Sequence, residues 1–349
     1  MKNEVLLYDR STGQADVVGF NANGAVNLDT TNSGWRKTWE MIVSADFLKS
    51  QENQILLYDK QAGQADIVRF NANGAVNLDT TNSGWRRTWE YMITGNYIGN
   101  GKSQVLLYDK TNGQADVVGF NVNGAVDLDT TNSGWRRTWE YGVSGNYIGN
   151  GKSQVLLYDK TAGQADVVGF NSNGAVDLDT TNSGWRKVWE SMVVGDFIGN
   201  GKSQVMAYDK SVGQADVVGF DSRGAMNLDK TNGGWRKSWE MIVSGNFIGN
   251  GKSQVLLYDR NARQADVVGF DANGAMNLDK TNVGWRSTWE MIAVGDFIGN
   301  GKDQILLYDR SNGQADVVGF DTNGAVNLDT TNSGWRKVWE KMVTLSANS

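Results

Sequence analysis

Short apolar runs rich in Val, Ile, Leu and aromatic residues alternate along the whole chain with clusters of Gly, Asn and Asp. No run carries the spacing of an amphipathic helix, and their length and β-branched content mark them as strands. In one representative stretch the pattern predicts strands over Trp89 to Asn96, Gln104 to Asp109, Ala115 to Phe120 and Ala125 to Asp129. The intervening GNG, KTNGQ and NVNG segments have the composition of hairpin turns, where Gly and Asn supply the backbone angles that other residues resist.

The same four-strand pattern returns every 50 residues, without insertion or deletion, at Tyr8, Tyr58, Tyr108, Tyr158, Tyr208, Tyr258 and Tyr308. Seven copies of a four-stranded antiparallel unit predict an all-β fold, a seven-bladed β-propeller in which residues 1–349 form a single domain. The ends agree with ring closure. The chain starts on a second strand, Val5 to Asp9, and finishes on a first strand, Trp339 to Leu345, so 1–30 plus 339–349 are expected to form one closing blade. An open solenoid would need polar capping repeats, and the terminal units look like the middle ones.

Composition narrows the chemistry. The 349 residues contain no Cys, His or Pro, against 43 Gly and 14 Trp, with a formal net charge of −6. Disulfides, thiolate nucleophiles, Ser-His-Asp triads and imidazole metal sites are therefore excluded. Carboxylates, Lys, Tyr, Ser and Thr remain. The acidic balance argues against nucleic acid as a partner, and no run has the length of a membrane span. The first residues, MKNEVLLYDR, lack a signal-peptide core, which favours bacterial cytoplasm with any external role depending on a non-classical route.

The strongest repeated motif is Gly-Trp-Arg-x-x-Trp-Glu, which holds all the tryptophans. Trp35, Trp85, Trp135, Trp185, Trp235, Trp285 and Trp335 are placed in a loop. Each precedes an arginine: Arg36, Arg86, Arg136, Arg186, Arg236, Arg286 and Arg336. Trp39, Trp89, Trp139, Trp189, Trp239, Trp289 and Trp339 are placed at the start of the first strand, where packing between blades is the favoured use. For the loop indoles a stacking surface for a sugar is favoured, with the arginines and Asn32, Asn82, Asn132, Asn182, Asn232, Asn282 and Asn332 as polar candidates. A structural use of Arg36, stacked on Trp35 or paired with Glu40, stands beside that reading.

Two further groups recur. Tyr8, Asp9, Gln14 and Asp16 face one another across a hairpin; paired carboxylates suggest acid/base work, but aspartates at strand ends more often cap turns. Arg263 replaces the glycine of this hairpin in one unit, which suggests a turn without extreme geometry. Gly195 to Gln204 occupies the place of an acidic calcium loop in integrin-like propellers, but Asn200, Gly201 and Lys202 stand where a hard cation needs carboxylates. No metal or cofactor is expected. The corresponding first connection, Leu48 to Asn53, lacks these glycines.

The string LLYDRSTGQADVVGFNANG followed by NSGWRKTW, repeated through essentially the whole chain, resembles the seven-bladed propeller lectins of Photorhabdus, the PLL family. The resemblance implies a fucose-binding lectin that tolerates O-methylated sugars, with sites between neighbouring blades and assembly into dimers or tetramers. Carried onto this sequence, the indoles are the walls of each site and the arginines and asparagines its polar groups.

The expectation is thus a multivalent carbohydrate-binding protein and not an enzyme, with fucosylated or O-methylated cell-surface glycans as partners. A ligand-free symmetric scaffold or designed ring is the alternative. A glycoside hydrolase ranks lower, because it needs a unique acidic pair and the acids recur in every copy.

Overall fold

The computed structural model describes residues 2–50 and 52–345. Among them are 28 strands in seven sheets of four, all antiparallel. The chain opens with β1 (Glu4–Asp9), β2 (Gln14–Phe20) and β3 (Val26–Ser33), and the next blade is β4 (Met41–Ser44), β5 (Gln54–Asp59), β6 (Gln64–Phe70) and β7 (Val76–Ser83). The remaining strands follow at the same offset to Lys341–Leu345. The fold is a seven-bladed β-propeller.

Closure is set by a single pairing. The last strand lies antiparallel to β1, with Glu4 opposite Leu345 and Tyr8 opposite Lys341, so both ends of the chain share one sheet. Residue 1 and residues 346–349 of the expected closing blade, and residue 51 of the first connection, lie outside the described residues.

Each second strand is apolar between its polar end residues because both of its faces are covered. Leu6 and Tyr8 pack with Ile55, Leu57, Val68 and Phe70 of the following blade, whereas Val5 and Leu7 pack with Leu306, Tyr308 and Val317 of the preceding one. Period-two alternation therefore distributes one strand between two cores and leaves no polar face. The outer strand is different. Its residues alternate between half-buried and exposed over Val26–Ser33, as expected of a strand with one solvent face.

Two boundaries differ from the sequence reading. The outer strand extends through Thr30–Ser33, which had been placed in a loop, because these residues continue the ladder opposite Gln14–Val17. The first strand begins at Met41 and not at Trp39; the indole sits in the crossover, and the first ladder-like contact is the Glu40 amide donating to the Tyr58 carbonyl.

The hairpin carrying Arg263 also departs from expectation. Its backbone is left-handed, with φ +54° at Arg263 and +66° at the equivalent Gly63. A Cβ on Gly63 would lie 2.7 Å from the Trp85 carbonyl oxygen. The Arg263 turn accommodates its side chain by changing a bond: its amide donates to the Arg260 carbonyl, whereas the Gly63 amide donates to that of Asp59.

The Gly195 to Gln204 segment is a self-satisfied turn. The Asp196 carboxylate accepts from the amides of Gly199, Asn200 and Gly201 at 2.8–2.9 Å. Phe197 is fully buried beneath it. Among the described residues, no group of three or more acidic side chains is arranged to hold a metal ion.

Candidate functional site: clefts between blades

Each crossover from one blade to the next lies against the face of the next sheet, and a cleft opens between them. Five such clefts have cavity volumes between 170 and 460 Å³. The cleft at Trp85 serves as the example. One wall is Asn82, Trp85, Arg86 and Trp89; the other is Leu107, Asp116, Val118, Val126, Asp129 and Thr131. Strand register explains the second wall. In the closing blade, where the contacts are numbered lower by one hundred, Leu7, Asp16 and Thr31 are aligned across three strands, and Val5, Val18 and Asp29 form the adjacent row.

The structure brings the tryptophans and arginines together, but assigns them different duties. Trp89 is 2% exposed and packs in the core while its ring carries the Arg86 guanidinium 5.1 Å above its centre. Trp85 is half-buried, tilted against Tyr58 at 6.0 Å between ring centres, and its amide is anchored to the Gly63 carbonyl at 3.0 Å. Trp185, Trp235 and Trp285 are buried, whereas Trp35, Trp135 and Trp335 are half-buried. Arginine stacks on the crossover indole that follows it, Trp39 and its equivalents, and not on Trp35.

Arg86 is held by Gln114 Oε1 at 2.5 Å and lies 3.9 Å from Asp109 and 3.7 Å from Asp116. The same arginine–glutamine bond recurs for Arg36, Arg136, Arg186, Arg286 and Arg336. The expected pairing of Arg36 with Glu40 does not form. That glutamate row instead meets basic residues at the end of the neighbouring strand, as in Arg260–Glu240 at 3.0 Å and Arg310–Glu290 at 3.2 Å.

The asparagines carry a structural duty in addition to lining the clefts. Asn82 donates through Nδ2 to the Gly124 carbonyl at 2.9 Å and accepts the Val126 amide at 3.0 Å, so its amide clamps the next blade. Asn32, Asn132, Asn182, Asn232, Asn282 and Asn332 make the same pair of bonds. An isolated asparagine in the sequence carries no sign of this, because the partner lies in the following repeat.

The carboxylates divide in the other direction. Asp109 is fully buried and accepts from the Asn112 amide at 3.0 Å, Asn112 Nδ2 at 2.7 Å and Thr88 Oγ1 at 2.5 Å. Burial alone would raise its pKa, but these donors and Arg86 more than offset it and hold the carboxyl below its ordinary value. Asp116 lines the cleft, and its Oδ1 is buried without a partner. Burial raises its pKa, against the lowering effects of Thr131 and Arg86. Asp129 on the same wall is raised by partial burial as well.

Asp16 is therefore acted on by Asp9 across the hairpin and itself acts on Asp29 in the adjacent row, and a carboxylate pair near a guanidinium recurs around the ring. The sequence reading missed Asp29, Asp79, Asp129, Asp179, Asp229, Asp279 and Asp329. Their signal was available in the alternation of the outer strand once that strand was extended to Ser33. A second buried atom, Trp89 Nε1, also lacks a partner. The walls of the Trp85 cleft thus have an unpartnered acceptor and an unpartnered donor buried behind their surface.

Fold and site together define a seven-bladed propeller with acidic, indole-walled clefts between its blades. No protein-family model matches the sequence, and no curated protein does. Among solved structures, the chain is similar to a candidate 6-phosphogluconolactonase from Bacteroides fragilis, with 13% identity, TM-score 0.64 and coverage of 99% of this chain and 98% of the other. It is also similar to a periplasmic gluconolactonase from Pseudomonas aeruginosa, with 11% identity, TM-score 0.65 and 99% of each chain covered. A protein from Lactobacillus plantarum matches at 11% identity and TM-score 0.66, over 99% of this chain and 100% of that one.

Identities this low establish the shared fold. The named activities among these structures are lactonases, so they overturn the expectation of a fucose lectin without enzymatic function.

Proposed function

We propose that the clefts between blades bind a small polyhydroxylated cyclic ester and hydrolyse it, the reaction class of a sugar-acid lactonase. The observation that carries this reading is the carboxylate pair Asp116 and Asp129 beside Arg86, with Asp116 Oδ1 buried and unpartnered in the cleft wall. The names of the lactonase propellers support it.

In this reading the indoles cover the apolar face of the ring, and the guanidinium donates to the acyl oxygen as negative charge develops there. Asp116, made more basic by burial, takes a proton from water as the water oxygen bonds to the acyl carbon. The ring C–O bond then breaks. The proton passes from Asp116 to the departing ring oxygen, which becomes a hydroxyl, and the new carboxylic acid releases its own proton to solvent.

That released proton is the readout. A pH-stat measurement with glucono-δ-lactone is expected to show base consumption above the spontaneous rate. A variant carrying Asn for Asp16, Asp66, Asp116, Asp166, Asp216, Asp266 and Asp316 is expected to lose about 10² to 10⁴ of the catalysed rate, the usual worth of a general base. Wild-type protein that adds nothing to the spontaneous rate removes the proposal, and an unchanged rate in the folded variant does so equally.

A further inference from the structure

The connection between the first and second strands carries the same six residues, Gly-Asn-Gly-Lys-Ser-Gln, in four blades, starting at Gly99, Gly149, Gly199 and Gly249. A fifth copy starts at Gly299, with Asp303 in place of the serine. The Asn-Gly step at its centre is exposed in all five. In each, the asparagine side-chain carbonyl accepts twice, as Asn150 Oδ1 does from the Lys152 amide at 3.0 Å and Gln154 Nε2 at 3.1 Å.

The residue that follows the first strand divides the five. Where it is aspartate, its carboxylate holds the central glycine amide: Gly201 donates to Asp196 and Gly301 to Asp296, each at 2.9 Å. Where it is asparagine, at Asn96, Asn146 and Asn246, its Oδ1 is buried without a partner and does not reach the loop. The amides of Gly101, Gly151 and Gly251 then have no acceptor among the described residues.

An exposed glycine amide next to an asparagine carboxamide is a nucleophile beside an electrophile. Glycine has no Cβ to obstruct the approach. The two donors on Oδ1 face the oxygen on which negative charge develops when Cγ is attacked. The amide must shed its proton in order to attack. A carboxylate bonded to that amide opposes the reaction twice, because its hydrogen bond has to break and its charge disfavours the anion that forms.

We infer that Asn100, Asn150 and Asn250 are sites of spontaneous deamidation, and that Asn200 and Asn300, in the same exposed loop, are protected. The glycine nitrogen bonds to the asparagine Cγ, the Cγ–Nδ2 bond breaks, and the displaced nitrogen leaves as ammonia with the proton that the glycine amide gave up. Water then adds to either carbonyl of the cyclic imide, and ring opening gives aspartate or its isomer with the chain routed through the side-chain carbonyl. Each event adds one negative charge at the end of the blades opposite the crossovers, since the loops adjoin Gln104 and the crossover threonine meets Asp109 at the other end of the second strand.

Elsewhere the same dipeptide is shielded. In the outer hairpins the glycine is buried and its amide is engaged, as Gly124 is with the Asn121 carbonyl at 2.9 Å. Gly113 is buried and Asn112 Nδ2 is held by Asp109, while the Gly313 amide donates to the Asp309 carbonyl. Asn232 is buried and clamps the next blade.

Peptide mapping by mass spectrometry, after incubation of the intact protein at mildly alkaline pH, tests this. Cleavage after the lysine of each loop gives five peptides of different sequence, so every asparagine is read separately. Asn100, Asn150 and Asn250 are expected to convert about tenfold or more faster than Asn200 and Asn300, the worth of a hydrogen bond to a charged acceptor expressed as a rate. Asn146→Asp should slow Asn150 by that factor and Asp196→Asn should speed Asn200, with circular dichroism establishing that each ring is folded. In urea, where the loops are undone, all five should convert at similar rates. Equal rates in the folded protein, no conversion at Asn100, Asn150 or Asn250, no response to Asn146→Asp, or a ranking that persists in urea would each overturn the assignment.

Discussion

Asp109 and Asp116 lie seven residues apart on neighbouring strands of one hairpin, and they differ in almost every physical respect. Asp109 is enclosed by donors from its own turn and from the crossover threonine Thr88. Asp116 faces a cleft, with one oxygen unpartnered and its carboxyl raised by burial. The pair shows how a repeat can hold a structural and a chemical carboxylate side by side. One completes the hydrogen bonding of a turn that positions the crossover, and the other is left incompletely satisfied in the cleft that the crossover forms.

The sharpest way to break this comparison is to truncate both. Asp109→Ala should cost about 2–4 kcal/mol of unfolding free energy, because three donors lose their acceptor inside the protein. Asp116→Asn should stay within about 1 kcal/mol of wild type, since the amide keeps the volume and relieves a buried charge. Urea unfolding of the two variants decides the matter; similar losses would show that the cleft aspartate is also structural.

A second test concerns the seam between blades. Asn132→Ala removes the donor to the Gly174 carbonyl and the acceptor of the Val176 amide, for an expected loss of about 1–3 kcal/mol. Trp135→Ala, three residues on in the crossover, should act mainly on ligand binding. Thermal unfolding with a lactone titration distinguishes them.

The smallest expected effect is on pH. Asp16, Asp66, Asp116, Asp166, Asp216, Asp266 and Asp316 are raised above the ordinary 3.8 by burial, so the folded state holds their protons more tightly than the unfolded state. Their contribution to stability therefore grows as pH falls from neutral through their raised pKa values toward 3.8. Asp9, Asp109 and Asp309 are held below 3.8 by hydrogen bonds despite burial, and their contribution disappears as pH falls through those lowered values. Stability measured by denaturant across acid pH should therefore pass through a maximum above 3.8 and then decline. A monotonic fall from neutral pH would contradict the assignment of the cleft acids.

Much of the fold was legible because repetition exposes strand patterns. The second strand was located at its observed limits, Gln104–Asp109, since turn residues bracket a continuous apolar run. The outer strand was cut short because Thr130–Ser133 are polar and read as loop, although their backbone continues the ladder. That truncation hid Asp129, and with it the acidic pair. The structural duty of the asparagines was hidden for a different reason: an amide that clamps a neighbouring blade and an amide that greets a ligand look the same in sequence.

The chain by itself determined the number of blades, their strand content and the closure of the ring, because periodic apolar runs with glycine turns permit few other ways to bury both faces of each strand. Only the tertiary structure decided which polar side chains were spent. Asn82 reaches 42 residues ahead to Gly124, and Arg86 reaches 28 ahead to Gln114, so their partners were set by the stacking of blades. Hydrogen bonds are short and directional, and a sequence records who is present in a repeat but not who meets across the seam.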